Sequence, residues 1–247
     1  MMTIKHTSLA GLMLWLSPAV LFSVSAEAGP ASCSVQSGAA VPTLVELYTS
    51  EGCDSCPPAD RWLSSLKTSR PDVLAAAFHV DYWDRLGWKD RFASAAYTER
   101  QHESLVHSGA RFAYTPQIIV NGQDWHGGSK LPEPSSAPAV VSLKLERRGS
   151  EQVGVELHGM AGAPAKVQLW WAAVEDGHQS DVKAGENRGV TLKHDDVVRD
   201  YASLPAVSGD QHLTLTVKPM GEKPRRLVVV AVDPSNGRVL QAVELGC

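Results

Sequence analysis

The chain has 247 residues, 43% of them hydrophobic and 20% charged, which is typical of a globular protein and excludes a largely disordered chain. Its 23 lysines and arginines against 27 aspartates and glutamates give a net charge of -4, so we expect no nucleic-acid partner. Four cysteines are too few for a small scaffold held together by disulfides alone.

Residues 1–28 have the features of a secretory signal. Lys5 precedes an apolar run at 9–24, and the triplet Ala26-Glu27-Ala28 has the small residues of a cleavage site. The run is shorter than the ~20 residues of a spanning helix, although an uncleaved anchor is the alternative. We expect a secreted or periplasmic protein with no stable membrane span after cleavage, whose cysteines meet an oxidising environment.

Patterns in residues 29–128 predict alternating strands and helices. Apolar runs indicate strands, apolar positions at 3.6-residue spacing indicate helices, and Asn121-Gly122 predicts a hairpin turn. The predicted elements are strands at 43–49, 73–80 and 117–120 and helices at 58–67 and 90–108. Their order is β-α-β-α-β-β, with a parallel pair first and a hairpin last.

Residues 129–138 predict a linker, because three prolines and three serines in ten residues forbid a regular helix. Residues 139–247 contain seven short runs rich in β-branched residues and separated by turn signals, a pattern typical of an antiparallel sandwich. The sequence therefore predicts an α/β domain followed by an all-β sandwich-like domain.

A two-cysteine motif, Cys53-Asp54-Ser55-Cys56, lies between a predicted strand and a predicted helix. This position is the carboxyl end of a parallel sheet, where open α/β folds place their chemistry. Two-residue spacing suits a reversible disulfide, and a helix N-terminus stabilises a thiolate. We expect Cys53 to attack a substrate disulfide and Cys56 to resolve the mixed disulfide.

A Thr-Pro pair supplies a second part of this candidate site. Thr115-Pro116 directly precedes the strand at 117–120, which is expected beside the strand that leads to Cys53. The βαβ unit, the CxxC at its turn and the Thr-Pro together resemble the thioredoxin superfamily. The resemblance implies a thioredoxin-like fold for residues 29–128 and a cis peptide before Pro116, which would position the substrate.

More closely, the chain looks like a family of secreted bacterial thioredoxin-like proteins catalogued as domain of unknown function 1223. The segments that carry the likeness are LVELYTSEGCDSCPPAD, HVDYWDRLGWKDRFASAAYTERQ and YTPQIIVNG, and it extends into GENRGVTLKHDDVVRD. These motifs are specific for membership of the family, which has no settled function to transfer.

Pro57 and Pro58 depart from the thioredoxin pattern, because neither has an N–H group to place at a helix start. Either the helix begins at Pro57 or its first turn is distorted. Glu51 and Asp54 add negative charge, which disfavours a thiolate. We therefore expect a more reducing centre than a strong oxidant, with a Cys53 pKa above about 5.

The other two cysteines, Cys33 and Cys247, lie near the two ends of the mature chain. If Cys53 and Cys56 pair with each other, Cys33 and Cys247 are left to form a structural disulfide. Two free thiols, or a link between two chains, are the alternatives.

Further candidate substrate-binding residues surround the end of the second strand, where they should lie near Cys53. Together with Thr115 they are His79, Asp81, Trp83 and Trp88. The tryptophans alternatively serve only to plug the domain beside the next helix. His79 and the CxxC thiolates suit copper or zinc, but no second CxxC or close His spacing supports a metal site, and no cofactor is predicted.

Residues 187–199 carry more polar side chains than a sandwich core needs. They include Asn187, Arg188, His194, Asp195, Asp196 and Arg199. A solvated hairpin tip is the simplest interpretation, and a docking surface against the first domain or a ligand site are the alternatives.

The sequence as a whole favours an exported thiol-disulfide oxidoreductase whose partners are protein thiols or disulfides of the cell envelope. The first alternative is a non-enzymatic binding protein in which the CxxC forms a structural disulfide. The second is a copper or zinc carrier. The sequence does not indicate an oligomeric state.

Overall fold

The structure, a computed structural model, describes residues 1–3, 33–128, 130–134, 136–218 and 223–247. The predicted signal at 1–28 lies outside the described residues apart from its first three. The described residues from Cys33 to Cys247 form one compact unit. Neither of the α-helices in the described part of the chain has the length and apolar character of a membrane span.

The described residues form two α-helices, one 3-10 turn at Asp84–Leu86 and fourteen strands. The helices are α1 (Pro57–Ser69) and α2 (Ala95–Ser108). The first seven strands are β1 (Ser34–Gln36), β2 (Thr43–Thr49), β3 (Val73–His79), β4 (Gln117–Val120), β5 (Gln123–Asp124), β6 (Val141–Arg147) and β7 (Gln152–Gly159). The other seven are β8 (Gln168–Glu175), β9 (His178–Asp181), β10 (Thr191–His194), β11 (Val197–Ser203), β12 (Gln211–Thr216), β13 (Arg225–Val232) and β14 (Val239–Leu245).

Local chemistry sets where the second helix begins. The predicted helix at 90–108 starts five residues late because Asp90 is used elsewhere: its carboxylate accepts hydrogen bonds from the N–H groups of Glu51 and Phe92. Ser94 caps α2 instead, accepting from the N–H of Ala96, and Gly109 ends the helix in the left-handed region at φ 83°.

The largest sheet has eight strands in the order β14-β13-β8-β11-β3-β2-β4-β5. β2 and β3 are parallel, in register from Thr43 opposite Val73 to Thr49 opposite His79, and β4 runs antiparallel to β2. β11 runs antiparallel to β8 on one side and meets β3 in parallel at Val197 opposite Ala77 on the other. A four-stranded sheet, β1-β6-β7-β12, and the pair β10-β9 complete the strands.

The prediction of an α/β thioredoxin-like domain followed by an all-β sandwich-like domain is wrong. The described chain is mostly β, and its largest sheet contains strands from both predicted domains. The β-α-β-α-β-β order of the first part and the seven later runs do appear as elements. The prediction missed β11, whose residues join the two regions into one sheet, because Arg199 and Asp200 interrupt its apolar pattern.

Apolar side chains cover both faces of the large sheet. β8, β13 and β14 pack against the four-stranded sheet around Leu143, Trp171 and Val229. On the opposite face Phe78 and Trp170 pack beneath α2. α1 buries Leu63 and Leu66 against β2 and β3 and thereby fixes the turn that precedes it.

A buried ion pair anchors α2 to the sheet. The guanidinium of Arg100 donates from Nε to Oε2 of Glu46 at 3.1 Å and from Nη1 to the hydroxyl of Tyr201 at 2.9 Å. The same guanidinium lies 4.0 Å from the centre of the Trp170 ring. Glu46 is buried, so its charge depends on Arg100 for compensation.

A disulfide joins Cys33, just before β1, to Cys247, just after β14. Arg147 holds both ends of the bridge in place. Its backbone N–H donates to the carbonyl of Cys33 at 2.9 Å, and its Nε donates to the carbonyl of Cys247 at 2.7 Å.

Candidate functional site

The CxxC motif occupies the turn between β2 and α1, and its two cysteines form a disulfide. The N–H of Cys53 donates to the carbonyl of Ser50 at 3.2 Å, and that of Cys56 donates to the carbonyl of Cys53 at 3.3 Å. Both cysteines are 0% exposed. The two sulfurs are therefore oxidised and buried, although Asp54 and Ser55 between them are exposed.

The start of α1 offers little stabilisation to a thiolate. The helix begins at Pro57, directly after Cys56, so the prolines fill its first two positions. The next two N–H groups, of Ala59 and Asp60, donate to the carbonyl of Cys56 at 2.9 and 3.2 Å. The first turn thus has no unused N–H for a sulfur, unlike a helix start that lowers a thiol pKa.

A turn from the second half of the chain covers the motif. This covering loop, residues 182–190, connects β9 to β10. Buried Asn187 donates from Nδ2 to the carbonyls of Glu51 and Cys53 at 2.9 and 2.8 Å. Glu186 accepts from the N–H of Asp54 at 3.2 Å. The covering loop is thus bonded to the backbone on both sides of Cys53.

The interpretation of residues 187–199 as a solvated hairpin tip is wrong for three of its residues. Asn187, His194 and Asp196 are buried. Asn187 and His194 pack against the CxxC turn and the first turn of α1, and the carbonyl of Asp196 accepts from the N–H of Ala77 in β3 at 2.8 Å. The segment docks against the first part of the chain.

Two predicted substrate-binding residues meet beside the CxxC turn. The indole N–H of Trp83 donates to Oγ1 of Thr115 at 2.7 Å. A Cβ added to Gly52 would lie 3.0 Å from Cβ of Trp83, so glycine allows this close approach. The peptide between Thr115 and Pro116 is cis. β4 follows it and lies beside β2, which leads to the motif.

The other three predicted residues have different surroundings. The indole of Trp88 donates to Oε2 of Glu51 at 2.7 Å, below the motif. His79 is fully buried. Asp81 accepts from the hydroxyl of Thr98 at 2.6 Å, so its carboxylate is directed to α2.

Five buried ionisable residues lie beneath the CxxC turn, and we call them the buried polar cluster. They are Glu51, Asp60, His79, Asp90 and His194. Nδ1 of His194 is 3.3 Å from Oδ1 of Asp60, and its Nε2 is 3.4 Å from Oε1 of Glu51. Nδ1 of His79 is 2.7 Å from Oδ2 of Asp90, and the two imidazole centres are 4.9 Å apart.

Charge interactions overcome the effect of burial in this cluster. Burial alone would lower the pKa of His194, but the carboxylates of Asp60 and Glu51 raise it to about 9. Burial alone would raise the pKa of Glu51, but the neighbouring His194 and the hydrogen bond from Trp88 hold it below its ordinary value. The pKa of Asp90 is also lowered against the effect of burial, mainly by His79. Glu51 is thus a carboxylate two residues before Cys53.

One ligand atom from each of Asp60, His79 and His194 lies within 4.8 Å of the others, so these residues could hold a metal ion. The sequence instead suggests His79 with the two cysteines as metal ligands, but those sulfurs are bonded to each other. Asp60 is not predicted from the sequence. Two sequence features could have indicated that Asp60 and His194 are buried. Asp60 precedes buried Leu63 by about one helical turn, and His194 lies on the same inward face of β10 as Leu192.

Fold and site together define a mainly β protein with an oxidised CxxC at a strand-to-helix turn. Residues 44–233 match the family described as "Protein of unknown function (DUF1223)", and the chain belongs to this family. No protein of established annotation matches the chain.

Two solved structures share the fold. One is the crystal structure of protein AGR_C_4864 from Agrobacterium tumefaciens, a structural-genomics target, with a TM-score of 0.64 and 25% identity over 83% of this chain and 94% of that one. The other is HBP35 of Porphyromonas gingivalis, with a TM-score of 0.57 and 13% identity over 85% of this chain and 76% of that one. At that identity, HBP35 shows the likeness of fold alone.

Proposed function

We propose that this protein catalyses thiol-disulfide exchange through Cys53 and Cys56. The observation that carries the proposal is the CxxC disulfide that follows β2, beside which Trp83 and Thr115 are hydrogen-bonded to each other. A two-residue spacing lets one sulfur attack a partner and the other release it, once the covering loop opens to give the partner access to the sulfurs.

In the reducing direction, the Cys53 thiolate attacks a substrate disulfide, forming a mixed disulfide and expelling one substrate thiolate. The Cys56 thiolate then attacks Sγ of Cys53, which forms the Cys53–Cys56 disulfide and expels the second substrate thiolate. Two electrons pass from the protein dithiol to the substrate disulfide, and the reverse sequence oxidises a substrate dithiol. Pro116 and Thr115 would position the partner.

The surroundings of the motif favour the reducing direction. Carboxylates beneath the motif and two prolines at the start of α1 both disfavour a thiolate, so the dithiol form gains less stability than in a strong oxidant. The partners would be protein thiols or disulfides in the cell envelope. Two disulfides fit such an oxidising compartment, with the protein secreted or periplasmic.

A Cys56→Ser variant tests the proposal. In this variant Cys53 has no partner within the motif, so we expect it to retain a mixed disulfide on Cys53 when mixed with oxidised glutathione, as measured by peptide mass. The matched Cys53→Ser variant should trap much less. Equilibration of wild-type protein in glutathione buffers should give a potential above about -300 mV.

A non-enzymatic binding protein with a structural disulfide is the second candidate, and the complete burial of both CxxC cysteines favours it. The same experiment separates the two functions. A potential below about -300 mV, with no exchange under native conditions, would support the structural role and exclude the enzymatic one.

A further inference from the structure

The buried polar cluster contains more carboxyl groups than imidazoles. It has three carboxyl groups, Glu51, Asp60 and Asp90, and among the described residues their ion pairs are with the two imidazoles alone. All five residues are less than a tenth exposed. Buried carboxylates are costly unless they are paired or bind a metal.

One atom of the cluster, Nε2 of His79, has no hydrogen-bond partner in the described chain. Nε2 of His194 and Oε1 of Glu51 make no close hydrogen bond, but they face each other as an ion pair at 3.4 Å. Buried polar atoms are nearly always satisfied, so the orphaned nitrogen of His79 calls for a specific explanation. His79 is 0% exposed, and its ring packs edge-on against that of His194.

The orientation of His79 is that of a metal ligand. Oδ2 of Asp90 lies 2.7 Å from Nδ1 of His79, and a carboxylate oxygen accepts, so Nδ1 is the donor and Nε2 is the ring nitrogen left to bind a metal. A carboxylate that fixes the tautomer in this way is the usual outer partner of a ligating histidine.

We infer that His79 Nε2, His194 Nδ1 and Asp60 Oδ1 form a binding site for a divalent first-row metal ion of the zinc type. The 3.3 Å between His194 Nδ1 and Asp60 Oδ1 equals the edge of a tetrahedron with bonds of about 2.0 Å. Two imidazoles and one carboxylate suit such an ion and leave a fourth position for a water or another ligand.

Each ligand in this site has an outer partner. Asp90 holds His79, and Glu51 lies 3.4 Å from the outer nitrogen of His194. The second oxygen of Asp60 accepts from the hydroxyl of Thr49 at 2.9 Å. Complete outer contacts of this kind orient ligands and raise metal affinity.

An entry path leads to the site. A cavity of about 180 Å³ between α1 and β10 is lined by both Asp60 and His194. Pro57, Arg61 and Lys193 also line this cavity. An ion can thus approach from the α1–β10 side, without passing the CxxC disulfide.

Metal binding to the oxidised protein tests this site, because disulfide-bonded cysteines cannot act as thiolate ligands. After chelator treatment, equilibrium dialysis with Zn²⁺ should show one bound ion per chain. Co²⁺ should give the visible bands of a tetrahedral site without a thiolate charge-transfer band. His79→Gln and Asp60→Asn should abolish this binding, whereas exposed His158→Gln, the matched control, should retain it. Asp90→Asn should weaken affinity by about 10- to 100-fold.

Absence of binding to the wild-type protein would overturn the inference, as would binding that persists in both ligand variants or is lost in the control. Should the variants fail to fold, nitrogen NMR of the wild-type imidazoles decides. A Zn²⁺-induced shift at His79 Nε2 and His194 Nδ1 supports the site, and unchanged resonances refute it. Since the oxidised form is used, failure here would leave the proposed thiol exchange unaffected.

Discussion

Removal of the Asn187 side chain should expose the CxxC disulfide to reductants. Asn187 donates two buried hydrogen bonds to the carbonyls of Glu51 and Cys53, and these bonds tie the covering loop to the motif. Each buried hydrogen bond contributes about 0.5–1.5 kcal/mol, so Asn187→Ala should favour loop opening by about 1–3 kcal/mol. If reduction requires that opening, its rate should rise by about 5- to 150-fold.

The assay follows reduction of Cys53–Cys56 by dithiothreitol under native conditions, with alkylation and peptide mass at timed intervals. Exposed Arg188, the next residue along, provides the matched control, since Arg188→Ala should leave the rate unchanged. The Cys33–Cys247 disulfide reports on the same sample and should react at its wild-type rate. A CxxC rate within twofold of wild type would refute the reasoning. Equal acceleration of both disulfides would also refute it, by indicating global unfolding.

Three further changes have defined outcomes. Replacing Cys33 and its partner with serine should lower the free energy of unfolding in urea by about 3–5 kcal/mol, because the bond spans 214 positions; a loss below about 1 kcal/mol would contradict this. Pro58→Ala adds an N–H to the first turn of α1 and should raise the CxxC potential by about 30 mV in glutathione buffers, whereas a lower potential would contradict the argument. Arg100→Met leaves the buried Glu46 carboxylate unpaired and should destabilise the protein by about 3–5 kcal/mol in thermal or urea unfolding. Adding Glu46→Gln removes that unpaired charge and should restore most of the lost stability.

Local patterns were sufficient to predict most elements but not how they are arranged. β2, α1 and β3 follow from apolar spacing and lie within a few residues of the predicted bounds. β11 was not predicted, because Arg199 and Asp200 interrupt its apolar pattern. Since β11 pairs with β3, the single sheet that includes both predicted domains was not predicted either. Periodicity indicates what a segment is, whereas its neighbours depend on contacts across the whole chain.

The residues of the candidate site also fall into those that local sequence patterns predict and those that they do not. Cys53 and Cys56 are identified by spacing alone, since both sulfurs belong to one turn. Asn187 is 134 residues from Cys53 in sequence, and His194 is 134 residues from Asp60, so no local pattern connects them. Polar side chains of these types are mostly found at the surface, so the sequence alone gives no reason to expect them to be buried and paired.

The bond between Cys33 and Cys247 also changes what a cut in the chain would do. Together with the backbone it closes residues 33–247 into a covalent ring. A single proteolytic cut at an exposed turn such as Arg148-Gly149 would open this ring without releasing a fragment. The product would be two polypeptides that meet at the cut turn and are held together by the Cys33–Cys247 disulfide. Such a nick would be invisible on a non-reducing gel and would become apparent only when the bond is reduced.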